Sequence, residues 1–204
     1  MRKNSKSFRD SAWSNLSGNW KQALLFTLVY ILVVIVINVI GIASGIVNLL
    51  LSVFVAIPLQ YGYSVSVLAF VRTREKMEIY GMFEGFRDYG RVLTTNLLMG
   101  VYVFLWTLLL IVPGFIKSFS YSLTPYILRD NPELKNNAAI ERSMAMMDGH
   151  KWELFCLVLS FIGWFLLCII TLGVALFWVV PYVSAAMANF YEYVKDDYDR
   201  RIEA

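Results

Sequence analysis

Long stretches of this chain contain no charged residue. Asp, Glu, Lys and Arg are absent from residues 22–71, 92–116, 118–128 and 154–191. With 58% hydrophobic residues and a mean hydropathy of +0.59, the chain falls outside the range of a water-facing globular domain. A helix crosses about 30 Å of hydrocarbon with about 20 mostly apolar residues. We therefore predict an all-α, polytopic helical membrane protein with a single membrane domain over residues 1–204.

Residues that carry chemistry at common sites are also scarce. The chain has two cysteines and one histidine. Cys156 and Cys168 lie in one apolar segment, which is typical of packing thiols rather than of a disulfide framework or a metal site. The sequence shows no nucleophile beside a base, no phosphate-binding glycine loop and no cluster of metal ligands. We therefore expect no enzyme activity, no cofactor and no metal.

The basic residues decide how often the chain crosses the membrane. The segment 92–128 contains a strong apolar run, the dipeptide Pro113-Gly114, and then a shorter, more polar run. If the segment crosses once, eight of the eighteen Lys and Arg residues lie outside; if it crosses twice, only Lys117 does. Lys and Arg beside short loops are retained in the cytoplasm. The charge pattern thus predicts six crossings, with both termini cytoplasmic.

The six crossings are predicted to form three hairpins, at about 23–71, 92–128 and 153–193. Their external turns are expected at 41–45, at Pro113-Gly114 and at 171–173. A turn of this size leaves almost no protein outside the membrane. We therefore look for function within the bilayer or on its cytoplasmic face, and expect no nucleic-acid partner because the basic residues are interleaved with fifteen acids.

Each hairpin follows a segment with apolar residues at helical spacing, at about 5–17, 76–89 and 132–148. These segments predict cytoplasmic interfacial helices. They end at Gly18, Gly90 and Gly149, where a glycine would let the chain turn sharply into the next helix. The pattern is explained either by three copies of one unit or by the tendency of any linker beside a membrane to become amphipathic.

The fourth predicted crossing is the candidate site. Residues 115–128 would span only about 21 Å and contain several hydroxyl side chains. Short, proline-interrupted spans line cavities in many transporters. The predicted ligand-binding residues are Lys117, Ser118, Tyr121 and Ser122, with Asn96 on the preceding span.

The same residues have a structural interpretation. Hydroxyl and small side chains also hold membrane helices together, and a lysine near the outer surface can extend its ammonium group to the lipid headgroups.

Two further polar segments have local interpretations. Asp130-Asn131-Pro132-Glu133 is typical of a helix start, with Asn131 as the cap and Pro132 in the first turn. His150, beside Lys151 and Trp152, is expected at the membrane interface.

Several motifs together resemble a known family. They are Leu16-Ser17-Gly18-Asn19-Trp20, Pro58-Leu59-Gln60-Tyr61-Gly62, Leu109 to Lys117, Tyr126 to Pro132, Gly149-His150-Lys151-Trp152 and Ser160 to Trp164. Across nearly its whole length the chain resembles the bacterial membrane proteins of domain-of-unknown-function family 975. The resemblance implies a polytopic protein of the bacterial inner membrane and implies no activity.

Two functions are therefore expected. The first is a non-catalytic inner-membrane protein that interacts with membrane lipids or with other membrane proteins. The second is a small transporter with a polar site between the third and fourth spans. A cavity wide enough for a solute would favour the second, and dry close packing would favour the first.

Overall fold

The regular structure of the chain is helical. The computed structural model describes residues 4–42 and 44–203, and every regular element in these two ranges is a helix. The α-helices are α1 (Ser5–Leu16), α2 (Trp20–Gly41), α3 (Gly45–Leu51), α4 (Ile57–Thr73), α5 (Tyr89–Leu109), α6 (Ile111–Tyr121), α7 (Thr124–Asp130), α8 (Asn137–Met146), α9 (Lys151–Leu159), α10 (Ile162–Ile170) and α11 (Leu176–Glu203). A π-helical turn, Ser52–Ala56, joins α3 to α4, and a 3-10 helix, Ile79–Phe86, precedes α5. The all-α class is confirmed.

Four helical segments are long and apolar enough to cross a membrane. Within residues 4–42 and 44–203 they are Trp20–Gly41, Gly45–Thr73, Tyr89–Leu109 and Lys151–Ile170. The predicted fourth crossing is divided between the short helices α6 and α7. The predicted sixth lies in α11, which continues into a charged C-terminal half. Four apolar spans are consistent with a membrane protein, while six crossings in three hairpins stay a prediction.

The largest buried side chains surround α11. Its Phe190 and Tyr191 are buried together with Phe8 of α1, Leu68 of α4 and Ile127 of α7. The rings of Phe8 and Phe190 meet edge to face with their centres 5.3 Å apart. The long apolar helices, in contrast, leave much of their outer surface exposed. The protein core thus lies near the charged end of the bundle, because elsewhere apolar side chains can face lipid instead of one another.

Two of the three predicted glycine corners are present. Gly18 and Gly149, which follow α1 and α8, have φ angles of +85° and +82°. These left-handed conformations are accessible to glycine at little cost and let the chain turn directly into the next helix. The prediction for Gly90 is wrong, because Gly90 is the second residue of α5 and is not among the glycines with positive φ.

The turn predicted at Pro113-Gly114 lies three residues earlier. The chain leaves α5 at Leu110, which is extended with φ −159° and ψ 134°. Pro113 and Gly114 instead belong to the first turn of α6, where a missing backbone N–H breaks no helical hydrogen bond. A Cβ atom on Gly114 would lie 2.3 Å from Oγ1 of Thr107. The dipeptide therefore allows α6 to pack closely against α5.

The helix start predicted at Asp130-Asn131-Pro132-Glu133 is also wrong. Helix α7 ends at Asp130, and Asn131 follows it and donates its side-chain N–H to the carbonyl oxygen of Ile127 over 3.0 Å. A proline disfavours the helical conformation of the residue before it. Pro132 thus stops α7, and the next helix, α8, begins only at Asn137.

The segment predicted as the second interfacial helix packs against α4 backbone to backbone. A Cβ atom on Gly62 of α4 would lie 2.0 Å from the carbonyl oxygen of Met82, and one on Gly85 would lie 2.1 Å from that of Pro58. Met82 is fully buried, whereas Tyr80 on the opposite face is 85% exposed. Glycines on both partners therefore allow this 3-10 helix and α4 to approach each other backbone to backbone.

Candidate functional site

A cavity of about 350 Å³ lies between α4, α5 and α6. We name it the polar cleft, after the polar side chains that line it: Gln60, Tyr61, Ser64, Asn96, Ser118, Tyr121 and Ser122. Apolar walls are supplied by Ile57, Met99, Val103 and Pro125. No lining residue is charged. The cleft therefore offers hydrogen bonds without a fixed charge.

The polar cleft forms because α6 is short and interrupted. Ser118, Tyr121 and Ser122 follow one another at the spacing of one helical face, and the helix ends at Tyr121. Leu123 precedes the new helix α7, which has Pro125 in its first turn. This break prevents α6 and α7 from forming one straight, closely packed span. The space that remains between α5 and α6 is the cleft.

The three serine hydroxyl groups in the cleft act as hydrogen-bond acceptors toward it. Ser118 donates to the carbonyl of Phe115 and Ser122 to that of Phe119, each over 2.8 Å. Ser64 donates to the carbonyl of Gln60 over 3.0 Å. A serine hydroxyl has one proton to donate and two lone pairs that accept. Since these protons point back to the helices, the oxygens are left to receive hydrogen bonds from a ligand.

Asn96 repeats this arrangement on α5. Its side-chain N–H donates to the carbonyl oxygen of Val92 over 2.8 Å. The side-chain carbonyl of Asn96 then remains as an acceptor. The polar cleft thus combines acceptors from three helices, and it suits a ligand that is rich in N–H or O–H groups.

The structure separates Lys117 from the other predicted site residues. Asn96, Ser118, Tyr121 and Ser122 line the polar cleft, whereas Lys117 is on another face of α6. Its ammonium nitrogen lies 5.0 Å from the ring centre of Trp106 and 3.7 Å from the sulfur of Met144. A cation over an indole face is attracted by the ring electrons. Lys117 therefore takes part in the contact of α6 with α5 and α8.

Gln60 and Ser64 were not predicted for this site. Gln60 lies within a charge-free stretch, so the sequence predicts that this amide is in a membrane span. The positions of residues along the chain do not show that Gln60 is close to α6. Ser64 gives no signal of its own. Both are placed in the cleft by the packing of α4, which depends on the glycine contacts with the 3-10 helix.

A network of charges centred on Asp130 joins α7 to α4 and α11. Arg72 donates two hydrogen bonds of 2.7 Å to its carboxylate, Lys195 donates one of 2.7 Å, and Tyr191 donates one of 2.8 Å. Burial raises the pKa of Asp130, but the hydrogen bonds from Arg72, Lys195 and Tyr191 outweigh it and hold this pKa well below its usual range. Both carboxylate oxygens of Asp130 accept hydrogen bonds from side chains on other helices, so we assign this network a structural role.

His150, predicted at the membrane interface, is buried among protein side chains. It is 5% exposed, with Nδ1 2.9 Å from a Glu153 oxygen and Nε2 2.8 Å from a guanidinium nitrogen of Arg201. Nε2 also lies 3.1 Å from a carboxylate oxygen of Asp197, so the ring contacts two carboxylates and one guanidinium group.

Arg201 also binds Asp197, and these hydrogen bonds, Arg201 first and His150 second, lower the pKa of Asp197. Across residues 4–42 and 44–203 no group of three His, Cys, Asp or Glu side chains is arranged to hold a metal ion.

The helical fold and its four apolar spans place the chain in the class of helical proteins that are consistent with residence in a membrane. Within this class the chain belongs to the family described as protein of unknown function (DUF975), whose model matches residues 1–116 and 107–197. The resemblance noted in the sequence is thereby confirmed. A comparison with curated proteins gives no match. A comparison with solved structures gives none either.

Proposed function

We propose that this chain is a non-catalytic protein of the bacterial cytoplasmic membrane that binds a lipid through a hydrogen-bond-donating headgroup in the polar cleft. The observation that supports this most directly is the set of serine oxygens and the Asn96 carbonyl, because the serine protons and one N–H of Asn96 are bonded to the helices. An acceptor surface of this kind recognises N–H and O–H groups.

The surroundings of the cleft favour a lipid as the ligand. Polar groups in hydrocarbon are costly unless they are hydrogen-bonded, and Gln60 is exposed. A headgroup or a glycerol hydroxyl that enters the cleft would satisfy these groups. Met99 and Val103 line the same cleft and offer apolar surface to an acyl chain.

The same proposal includes the topology. Six crossings with both termini in the cytoplasm leave Lys117 as the one basic residue outside, in accordance with the retention of Lys and Arg in the cytoplasm. The segments around α1, the 3-10 helix and α8 would then lie on the cytoplasmic side, where other membrane proteins are further partners.

The proposal is tested by native mass spectrometry of the purified protein with two lipids that share their acyl chains. Phosphatidylethanolamine carries three N–H donors, and phosphatidylcholine carries none because its nitrogen is fully methylated. We expect phosphatidylethanolamine to be retained at lower concentration. Asn96→Leu should remove this preference, because it deletes an acceptor of the cleft.

A matched control is available in α2. Asn38 donates its side-chain N–H to the carbonyl of Val34 over 2.8 Å, as Asn96 does to Val92, and does not line the cleft. Asn38→Leu should therefore leave the preference unchanged. Equal retention of the two lipids by the unmodified protein would show that the cleft does not select donors.

A second candidate function is transport of a small polar solute. The break between α6 and α7, directly beside a cavity of about 350 Å³, supports it, because interrupted spans form many transporter sites. Proteoliposomes that contain the protein should then take up a small polyol such as glycerol faster than empty vesicles. Uptake should fall in Asn96→Leu and persist in Lys117→Met, since Lys117 lies outside the cleft. Equal uptake by empty vesicles would exclude this function for glycerol.

A further inference from the structure

A second, larger cavity lies on another face of α6. It runs between α6, α9 and the start of α10 and has a volume of about 830 Å³. Its walls are apolar and aromatic, and include Phe115, Phe119, Phe155, Val158, Ile162 and Phe165. We name it the apolar groove. Polar side chains are almost absent from it, in contrast to the polar cleft.

Lys151 is the one charged residue that lines the apolar groove. It is the first residue of α9, and no ion pair within residues 4–42 and 44–203 includes it. Trp152 lies beside it, is 71% exposed, and stacks on Phe155 with ring centres 5.2 Å apart. The groove therefore carries a positive charge and an indole at one end and only apolar surface beyond.

The dimensions of the groove suit an acyl chain. Lys151 and Phe165, near its two ends, are separated by about 21 Å at 1.5 Å per helical residue. One leaflet of a bilayer is about 15 Å of hydrocarbon, half of the usual 30 Å. An acyl chain that starts at the level of Lys151 would thus find apolar contacts over the whole depth of its leaflet.

We infer that the apolar groove holds one acyl chain of an anionic phospholipid, with the phosphate group of that lipid at Lys151. Charge complementarity selects this occupant, because an unpaired ammonium group binds phosphate as a point charge and anionic lipids are attracted by basic residues at the cytoplasmic surface. Burial of the chain against the groove adds a non-directional hydrophobic contribution. This site goes beyond the proposed function, since it lies on a different face of α6 and selects the charge of the headgroup rather than its donors.

Trp152 provides a direct reporter of the occupant. Bromine atoms on an acyl chain quench tryptophan fluorescence by contact, so a protein that keeps Trp152 and carries Phe at the other five tryptophans reports only on this groove. The protein is reconstituted in phosphatidylcholine with increasing fractions of either dibrominated phosphatidylglycerol or dibrominated phosphatidylcholine. We expect half-maximal quenching at a several-fold lower fraction of the anionic lipid.

Three substitutions separate the effect of the charge from that of the groove. Lys151→Gln should bring the two quenching curves together. Lys76→Gln removes an equal charge from an exposed residue after α4 and should leave the curves apart. Val158→Phe fills the groove without a change of charge and should weaken the preference. Coincident curves for the unmodified reporter, or an equal loss in Lys76→Gln, would overturn the inference, because either result means that no specific site at Lys151 selects the lipid.

A measurement on the protein with all its tryptophans guards against a reporter that does not fold. Native mass spectrometry should find fewer phosphatidylglycerol molecules retained by Lys151→Gln than by Lys76→Gln. Equal retention by the two variants would also overturn the inference.

Discussion

The hydroxyl of Tyr89, at the start of α5, donates a hydrogen bond of 3.1 Å to the carbonyl oxygen of Phe54 in the π-helical turn. In a regular α-helix this carbonyl would accept from the backbone N–H of residue 58. That residue is proline and has no N–H. Pro58 thus leaves this carbonyl without its usual backbone partner. A side chain from a different helix supplies the hydrogen bond instead. The same bond ties α5 to the segment that precedes α4.

Removal of this hydroxyl should destabilise the protein. Tyr89→Phe keeps the ring and deletes the donor, and we expect the free energy of unfolding to fall by about 1 kcal/mol. Unfolding of the purified protein by denaturant in micelles, followed by circular dichroism, measures the change. Tyr80→Phe is the matched control, because Tyr80 is among the most exposed aromatic residues; a loss of the same size there would contradict the assignment.

The Asp130 network predicts a larger effect at a single carboxylate. Asp130→Asn retains the size of the side chain but leaves the ammonium of Lys195 without its anion and the guanidinium of Arg72 with only Glu192 as a partner. The expected cost is about 2–3 kcal/mol, as for the loss of charged hydrogen bonds at a largely buried group. Asp88 pairs with Arg91 but is 61% exposed, so Asp88→Asn should cost less than about 1 kcal/mol. Similar losses in the two variants, in the same unfolding measurement, would argue against a bracing role for Asp130.

Asp130 should also make the stability depend on pH. Its pKa is lower in the folded protein than in the unfolded chain, so its contribution is complete above the unfolded pKa of about 3.9. The contribution is lost as the pH falls below that value toward the folded pKa. We expect stability measured between pH 5 and pH 3 to decrease, and to decrease less steeply in Asp130→Asn. Parallel pH profiles for the two proteins would show that other carboxylates are responsible.

Glycine at position 62 is required by the contact with the 3-10 helix. Gly62→Ala would place a methyl group on the carbonyl oxygen of Met82, 2.0 Å from it without adjustment. Backbone atoms cannot rotate away, so we expect a loss of about 1–3 kcal/mol. Gly100 of α5 has no heavy atom within 4 Å of such a Cβ, and Gly100→Ala should be neutral or stabilising by about 1 kcal/mol, since alanine favours helices. Thermal unfolding of the two variants compares them directly, and a neutral Gly62→Ala would mean that the two elements separate easily.

The sequence predicted those features that depend on neighbouring residues. The charge-free stretches predicted apolar helices, and the spacing of Ser118, Tyr121 and Ser122 predicted a shared face, because both are properties of a single helix. Gln60 and Ser64 could not be assigned to the same cavity, since their position depends on how α4 packs. Lys117 was placed in the site because a charge in a span is unusual, but its contacts with Trp106 and Met144 depend on α5 and α8.

The errors at turns have a common cause. Pro113-Gly114 is predicted as a turn and Asn131-Pro132 as a helix start, and each dipeptide does lie near a helix boundary, but the same residue types occur on both sides of a boundary. Proline is accepted in the first turn of a helix and also stops the helix before it. The sequence therefore indicates that a boundary is near. The side on which the helix lies is decided by packing, as Gly114 against Thr107 illustrates.

Helix α11 contributes residues to two separate groups of charges. Tyr191 and Lys195 bind Asp130, and one or two turns later Asp197 and Arg201 reach His150. These four residues lie on one helix, and its only proline, Pro181, is ten residues before the first of them. We therefore expect the four residues to move together. A rotation or translation of α11 large enough to break its bonds to Asp130 would also separate Arg201 from His150. The end of α7 and the start of α9 are therefore coupled to each other through α11.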